Sequence, residues 1–183
     1  NKIITTSGGG ALVCKNREQA NQTLFLATQA RESRPYYHHE KTGYNYRLSN
    51  ICAGIGRGQM HVLPEFLVRR REIHAIYTEL LSNVNGLTVI QNPNEAHNSN
   101  FWLTCITIGD NRTGITADML RLRLEQANIE SRLLWKPLHM QPVFNSAPAY
   151  TDGTSETIFA KGLCLPSSPT LTNKDIDKIV GNI

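Results

Sequence analysis

Hydrophobic positions recur at helical spacing in the first half of the chain. A long helix with one buried face is predicted to begin near Pro64, because proline fits the first turn of a helix. Its apolar stripe consists of Leu63, Phe66, Leu67, Ile73, Tyr77, Leu80 and Leu81. A separate helix over residues 48–60 is rich in small residues, and each glycine there costs about 1 kcal/mol relative to alanine. Its small face therefore needs compensating contacts, either with a second subunit or within the chain.

The rest of the chain predicts short strands and capped helices. Apolar or β-branched runs predict strands over residues 11–14, 87–91, 101–108, 132–135 and 163–166. Helices are predicted over residues 17–32, 117–127 and 173–182, with Thr116 and Thr172 as N-caps of the last two. Residues 33–46 predict a loop. This order indicates an α/β protein with a small α+β domain, whose antiparallel or mixed sheet carries helices on one face.

Composition and charge narrow the function only a little. The 183 residues are 40% hydrophobic and 19% charged, which is typical of a folded domain. The net charge of +4 is a weak indication of an anionic partner. The one dense basic run, Arg69-Arg70-Arg71, has the character of the polar face of a helix. The sequence has no face of interleaved aromatic and basic residues, which is the pattern that would indicate nucleic acid binding.

The spacing of the cysteines and the length of the apolar runs indicate in which cellular compartment the protein resides. The four cysteines, Cys14, Cys52, Cys105 and Cys164, have neither metal-ligand spacing nor the pattern of a disulfide framework. We expect reduced thiols and no metal site. There is no signal peptide and no apolar run long enough to cross a bilayer, so a cytoplasmic protein without a membrane partner is expected.

Lys2 is the strongest candidate for chemistry. It precedes the glycine-rich run Ser7-Gly8-Gly9-Gly10, and a lysine entering such a turn can hold a carbonyl cofactor as a Schiff base. The run lacks the spacing of a phosphate loop for nucleotide triphosphates. A single lysine near a chain start is also simply a solvated side chain in many proteins, so other motifs must support the assignment.

Four separated motifs occur together with Lys2. They are Thr5-Thr6-Ser7-Gly8-Gly9-Gly10, Thr28-Gln29-Ala30-Arg31-Glu32, Gly43-Tyr44-Asn45-Tyr46-Arg47-Leu48-Ser49-Asn50 and Trp135-Lys136-Pro137-Leu138-His139. In this order they resemble the DegT/DnrJ/EryC1/StrS family of pyridoxal-phosphate-dependent sugar aminotransferases of fold type I. The likeness extends over essentially the whole chain and is greatest to the bacillosamine-type branch, which acts on UDP-linked 4-keto-6-deoxy N-acetyl sugars in glycan and pilin glycosylation.

The resemblance implies a ping-pong transfer of an amino group, with glutamate as the expected donor and the 4-keto carbon of the sugar as acceptor. The position of Lys2 corresponds to the lysine that binds pyridoxal phosphate and, once released, moves a proton. Family members that are dehydratases have histidine at this position, so Lys2 favours the transferase. The family forms homodimers with composite active sites.

The resemblance also assigns cofactor contacts to two further residues. The position of Asn45 corresponds to an amide that reaches across the dimer interface to the cofactor phosphate of the other subunit, and Arg47 is a second candidate for the phosphate. Plain alternatives stay open for both. Gly43-Tyr44-Asn45 is good turn chemistry, and Arg47 is equally suited to a structural ion pair at a helix start.

Substrate contacts are expected from two other segments. By resemblance, Trp135, Lys136 and His139 lie beside the sugar nucleotide, whereas Tyr36, Tyr37, His38 and His39 are candidates to cover the sugar or the base. The alternative for Lys136 is a surface lysine whose hydrocarbon stem lies along the protein. The alternative for the histidines is that they are simply exposed to solvent.

The start of the chain at Asn1-Lys2 suggests the C-terminal part of a longer enzyme. We expect residues 1–60 to be the remnant of a large cofactor-binding domain with a helix at a domain or dimer interface, and residues 61–183 to form the small domain. Since the family's acidic partner of the pyridine nitrogen would precede Asn1, the chain alone is expected to be inactive and to bind cofactor poorly or not at all. The rival hypothesis is a non-catalytic interaction module in which Lys2 is incidental.

Overall fold

The computed structural model describes residues 2–109 and 114–183, so Asn1 lies outside the described residues. These fall into two units, Lys2–Leu63 and Pro64–Ile183. The first unit contains helix α1 (Arg17–Ala27) and the beginning of helix α2 (Asn50–Leu80). The second contains the remainder of α2, four strands and three further helices.

Helix α1 is shorter than the predicted residues 17–32. Asn16 caps its N-terminus by accepting a hydrogen bond from the Gln19 amide. At the other end the hydroxyl of Thr28 donates to the carbonyl of Leu24, and Ala30 has a positive φ of 49°, which an α-helix cannot continue through. The predicted strand over residues 11–14 is wrong, because this segment is irregular and Val13 is 94% exposed.

Helix α2 replaces two predicted helices by one of 31 residues. Pro64 lies inside it and removes one hydrogen bond to the carbonyl four residues earlier, but it does not end the helix. The predicted stripe is partly confirmed: Ile73, Tyr77 and Leu81 are buried, whereas Leu80 is 41% exposed.

The sheet is wholly antiparallel and has the strand order β1-β2-β4-β3. Its strands are β1 (Leu87–Val89), β2 (Thr104–Ile108), β3 (Arg132–Leu133) and β4 (Gly162–Leu165). Each is shorter than or shifted from its prediction. Strand β2 begins three residues later than predicted because Phe101 has a φ of 42° and its ring stacks on His74 with 3.6 Å between centroids.

Three helices complete the second unit: α3 (Ala117–Gln126), α4 (Thr154–Lys161) and α5 (Asn173–Val180). The caps of α3 and α5 are confirmed, since Thr116 accepts from the Met119 amide and Thr172 forms a reciprocal capping box with Asp175. Helix α4 was not predicted. It follows Gly153, whose φ of 83° suits glycine.

The core of the second unit lies between one face of the sheet and helices α2, α3 and α5. It includes Ile73, Tyr77, Leu81, Val89, Ile106, Ile108, Leu120, Leu124, Leu163, Leu165, Ile176 and Ile179. Alternation in β2 buries Thr104, Ile106 and Ile108 and directs Cys105 to the other face. The expected α/β class of mixed helix and sheet is confirmed by this arrangement.

Arg70 corrects the interpretation of the basic run as a polar face. Its side chain is 4% exposed, and its guanidinium donates to the carbonyl of Trp102 and, at 3.0 Å, to that of Ser167. Burial lowers the pKa of Arg70. These bonds tie α2 to the segments that flank β2 and β4, so the central arginine holds structure while Arg69 and Arg71 remain nearer the surface.

Candidate functional site

The segment after Lys2 is fixed to helix α2 within the first unit. The Thr5 amide donates to the Gln59 side chain at 2.5 Å, and an added Cβ at Gly56 would lie 2.8 Å from the methyl of Thr6. Of the two predicted contacts for the small face of this helix, the one within the chain is therefore made at Gly56, which Thr6 approaches closely. At Gly58 an added Cβ would meet nothing within 4 Å. Lys2 itself is exposed at the start of this fixed segment.

Asn45 lies on a loop that pairs with the end of α1. It forms an isolated antiparallel bridge with Thr28. On either side of it, the Tyr44 amide donates to the carbonyl of Leu26 at 2.7 Å and the Tyr46 amide donates to that of Ala27 at 3.0 Å. The predicted loop over residues 33–46 is thus confirmed, and its last residues have a defined extended backbone.

Asn45 lines a polar pocket of about 600 Å³. The rings of Tyr44 and Tyr46 stack on each other with centroids 5.0 Å apart, and alternation along extended backbone directs Asn45 to the opposite side. The pocket is lined by Gln29, Tyr37, His39, Glu40, Lys41, Thr42, Gly43 and Asn45. The Lys41 ammonium and the amide donors suit an anion, whereas the Glu40 carboxylate opposes one. Arg47 is exposed and does not line this pocket.

The aromatic and histidine cluster divides between two environments. Tyr37 and His39 line the pocket of Asn45, and His39 Nδ1 lies 2.9 Å from the carbonyl oxygen of Gln29. Tyr36 and His38 instead contact each other edge to face at 6.1 Å. His38 Nε2 also lies 3.4 Å from a Glu40 carboxylate oxygen. All four remain candidates for substrate contacts.

In the second unit, Trp135, Lys136 and His139 lie on the irregular segment that follows β3. The Trp135 ring, 60% exposed, packs against Trp102 with 5.6 Å between centroids. His139 lies in a 3-10 turn, Leu138–Met140, and lines a pocket of about 300 Å³ with Leu138, Phe144 and residues 147–151. Neither Trp135 nor Lys136 lines that pocket, so the structure does not bring the three into one cavity.

His139 has a carboxylate partner that the sequence did not reveal. Its Nε2 lies 2.7 Å from Glu156 Oε1, and the other Glu156 oxygen accepts from the Ser155 hydroxyl at 3.0 Å. Glu156 stands in the first turn of α4, where the free backbone amides favour a negative charge. Its own backbone amide, then Ser155 and His139, hold the pKa of Glu156 below its ordinary value. The carboxylate therefore stays ionised and fixes one imidazole nitrogen.

Replacing Glu156 by glutamine is expected to lower stability only where the carboxylate is ionised. Because the folded pKa is depressed, the stabilisation is present above the ordinary value of 4.5 and is lost as the pH falls through the folded pKa. The measurement is the free energy of unfolding in urea at several pH values, with Glu65→Gln as an exposed control. A difference between wild type and Glu156→Gln that grows as the pH falls below about 4.5 would contradict this.

Sequence reasoning also missed Lys41 and Gln29 as pocket residues. Gln29 belongs to the motif Thr28-Gln29-Ala30-Arg31-Glu32, but nothing in the sequence pattern reveals its positive φ of 70°, which places its backbone against the loop. For Glu156 there was a usable signal: a glycine followed by Thr154-Ser155-Glu156 is the composition of a helix start with an acid in its first turn. Among the described residues, no group of three or more metal-ligating side chains is arranged to hold a metal ion.

The model of the DegT/DnrJ/EryC1/StrS aminotransferase family matches residues 1–183. The chain belongs to this family. Its curated relatives include the "Putative pyridoxal phosphate-dependent aminotransferase EpsN" of Bacillus subtilis (strain 168), 43% identical over 98% of this chain and 46% of that protein. GDP-perosamine synthase of Escherichia coli O157:H7 is 32% identical over 100% of this chain and 48% of that protein. The family resemblance seen in the motifs is thereby confirmed.

Solved structures share the fold of this family member. Helicobacter pylori PseC, an aminotransferase involved in the biosynthesis of pseudoaminic acid, superposes with a TM-score of 0.81 at 18% identity over 98% of this chain and 49% of that one. DesI in the presence of its TDP-sugar product gives 0.80 at 23% identity over 98% and 45%. The chain spans about half the length of the curated relatives it matches. None of the described helices has the length and apolar character needed to cross a membrane.

Proposed function

We propose that this chain supplies the reactive amine, a phosphate contact and part of the sugar pocket of a pyridoxal-phosphate-dependent aminotransferase. The enzyme moves an amino group from glutamate to the 4-keto carbon of a UDP-linked N-acetyl-6-deoxy sugar for glycan or pilin glycosylation. The observation that carries this proposal is the family match over residues 1–183, which includes Lys2 and its glycine-rich run.

The chemistry of the side chains fits the cofactor. A primary amine suits the cofactor aldehyde, and an amide together with a guanidinium suits its phosphate. Lys2 is exposed on a segment fixed by Thr5 and Thr6, which limits where its Nζ atom can reach. When bound, pyridoxal phosphate supplies an electron sink that lets an amino group leave one carbon and join another. Lys2 Nζ then carries the proton that each half of the transfer requires.

Asn45 and Arg47 are the proposed phosphate contacts, reaching the cofactor of a second subunit in a homodimer. The defined backbone around Asn45 supports its role, because a donor on a fixed strand loses little freedom on binding. Trp135, Lys136 and His139 are proposed to contact the sugar nucleotide, together with Tyr36 and His38. Glu156 orients His139 by holding its Nε2.

We further propose that other residues precede this chain in the intact enzyme. Residues 1–60 then belong with the large cofactor-binding domain, and residues 61–183 form the small domain. The preceding part brings the acidic residue that keeps the pyridine nitrogen protonated. The 183-residue chain alone is therefore expected to show no new absorbance band on addition of pyridoxal phosphate, whereas the intact enzyme shows one near the edge of the visible range.

Borohydride trapping tests the assignment of Lys2. The intact enzyme is incubated with pyridoxal phosphate, reduced with borohydride, digested and mapped by mass spectrometry. We expect the added mass on Lys2, and the modification should block tryptic cleavage after it. Label on a different lysine contradicts the role of Lys2, and no label on any lysine supports the non-catalytic interaction module instead.

A GDP-linked sugar is a second candidate substrate, because the relative that is 32% identical is named GDP-perosamine synthase. Intact enzyme supplied with glutamate is offered UDP-linked and GDP-linked 4-keto-6-deoxy sugars in parallel, and the amino sugar is detected by mass. Amination of the UDP sugar supports the first candidate. Amination of the GDP sugar alone replaces it with the second and leaves the proposed chemistry intact.

A further inference from the structure

Two cysteines face each other across the centre of the sheet. Cys105 in β2 lies directly opposite Cys164 in β4, and their sulfur atoms are 3.8 Å apart. Both are free thiols. Neither belongs to the motifs or pockets of the proposed amino transfer, so a role for this pair is independent of that function.

The pair occupies the type of cross-strand site that a disulfide can join. The Cys105 carbonyl accepts from the Ile90 amide on the β1 side, so the backbone polar groups of Cys105 point away from β4. Opposite residues of this non-hydrogen-bonded type have Cα atoms about 4.5 Å apart, inside the range of about 4.4 to 6.8 Å seen for disulfides. At that Cα separation, rotation of the side chains can bring the sulfurs from 3.8 Å to the bonding distance of about 2.05 Å.

The two thiols differ in access. Cys105 is half-buried and lines a pocket of about 480 Å³ together with Gln91, Asn92, Ser99 and Leu103. Cys164 is 4% exposed. A small oxidant that enters the pocket therefore meets Cys105 first.

The thiols also differ in acidity, and Cys105, the more accessible of the two, is the more acidic. A hydrogen bond from Cys164 lowers the pKa of the Cys105 thiol against the opposing effect of burial. The same hydrogen bond and burial raise the pKa of Cys164. Since the thiolate is the nucleophile, Cys105 is the residue suited to attack and Cys164 the residue suited to respond.

We propose that Cys105 and Cys164 are a reversible oxidation site that hydrogen peroxide converts into an intrachain disulfide. The Cys105 sulfur attacks one peroxide oxygen, the O–O bond breaks, and hydroxide leaves and takes up a proton to give water, so that Cys105 becomes a sulfenic acid. The Cys164 sulfur then attacks the Cys105 sulfur and loses its proton, and the S–O bond breaks to release a second water. Two thiols are oxidised and one peroxide is reduced. A dithiol reductant reverses the change by exchange.

The bond would join the two central strands and close a loop between residues 59 positions apart. A crosslink of this size restricts the unfolded chain and stabilises the folded one. The thermal midpoint of the oxidised protein is expected to lie at least about 5 °C above that of the reduced protein.

Peptide mapping tests the proposal on the wild-type chain. The protein is treated with hydrogen peroxide, its remaining thiols are blocked with N-ethylmaleimide, and it is digested with trypsin without reductant. We expect a linked pair of peptides, residues 72–112 joined to residues 162–174, with a mass about 2 Da below the sum of the two. Dithiothreitol should separate them and restore alkylation of both cysteines.

Two variants sharpen the result. Replacing Cys14 and Cys52 together by serine should leave the linked pair unchanged, because both lie on other peptides. In Cys164→Ser the link should vanish and dimedone should capture the Cys105 sulfenic acid. The proposal is overturned if wild-type Cys105 is found as sulfinic acid beside reduced Cys164, if the linked peptides are those of Cys14 or Cys52, or if Cys105 remains unreacted.

Discussion

Replacing Lys2 by alanine is expected to lower the kcat of the intact enzyme at least about 1000-fold. The proposed role needs a primary amine that can bond to an aldehyde and also give and take a proton, and alanine does neither. The loss should fall on kcat and on the cofactor absorbance band together. Steady-state rates and an absorbance titration with pyridoxal phosphate measure the two effects.

Two further variants separate the amine chemistry of Lys2 from its charge. Lys2→Arg keeps the positive charge but presents a guanidinium that stays protonated, so we expect it to be as inactive as Lys2→Ala. Lys15→Ala removes another exposed lysine from the same N-terminal unit and is expected to retain activity. An active Lys2→Arg enzyme would show that charge alone is required. Activity of Lys2→Ala within tenfold of wild type would refute the catalytic role.

How far the sequence predicted the fold depended on how local each signal is. Thr116 and Thr172 are confirmed caps because a cap needs only its own first turn. Pro64 was misinterpreted as a helix start, since proline is common there, yet the packing of Ile73 and Tyr77 further along and the continuous backbone of α2 give one helix. Tertiary contacts outweighed a local preference at that position.

Strand ends and buried charges were harder to predict for the same reason. The early residues of the predicted strand over residues 101–108 are apolar, but Phe101 turns away to stack on His74, a residue 27 positions earlier. Helical spacing carries a signal for Arg70, because it lies seven residues after Leu63 and seven before Tyr77 on the predicted apolar stripe. Its carbonyl partners, which let a charge be buried there, depend on distant segments that the spacing does not reveal.

In the candidate site, too, local sequence signals were predictable and contacts between distant residues were not. Motif resemblance singled out Asn45 and His139, and each lines a pocket of the described structure. It did not name Lys41 or Glu156, since their positions depend on the loop conformation and on an unpredicted helix. The roles of these residues toward cofactor and sugar are proposals, and Asn45→Ala tests the one assigned to Asn45.

Replacing Gly43 by alanine is expected to open the loop that carries Asn45. An added Cβ would lie 2.3 Å from the Ala30 nitrogen and 2.3 Å from the Gln29 carbonyl carbon, and both atoms belong to the backbone. No flexible side chain can move aside, so the loop must shift away from the end of α1. The hydrogen bond from the Gln29 amide to the Tyr44 carbonyl, 3.0 Å long, is then strained or lost.

The expected cost is about 2 kcal/mol, typical of overpacking at a tight contact. If the loop opens locally, that cost raises its open population about 30-fold, and tryptic cleavage after Lys41 should accelerate by a similar factor. Limited proteolysis followed by mass spectrometry measures the rate at this bond. Thr42→Ala is the matched control for stability, because it removes only the hydroxyl and methyl of an exposed neighbouring residue and should leave cleavage unchanged.

The same substitution connects the loop to the proposed cofactor contact. If Asn45 holds a phosphate only while the bridge to Thr28 is formed, Gly43→Ala should weaken binding of pyridoxal phosphate by the intact enzyme as well as loosen the loop. Asn45→Ala should weaken binding without accelerating cleavage after Lys41, because its backbone bridge is unaffected. Faster cleavage in Gly43→Ala with unchanged cofactor affinity would mean that the loop is structural and that Asn45 is not a phosphate ligand.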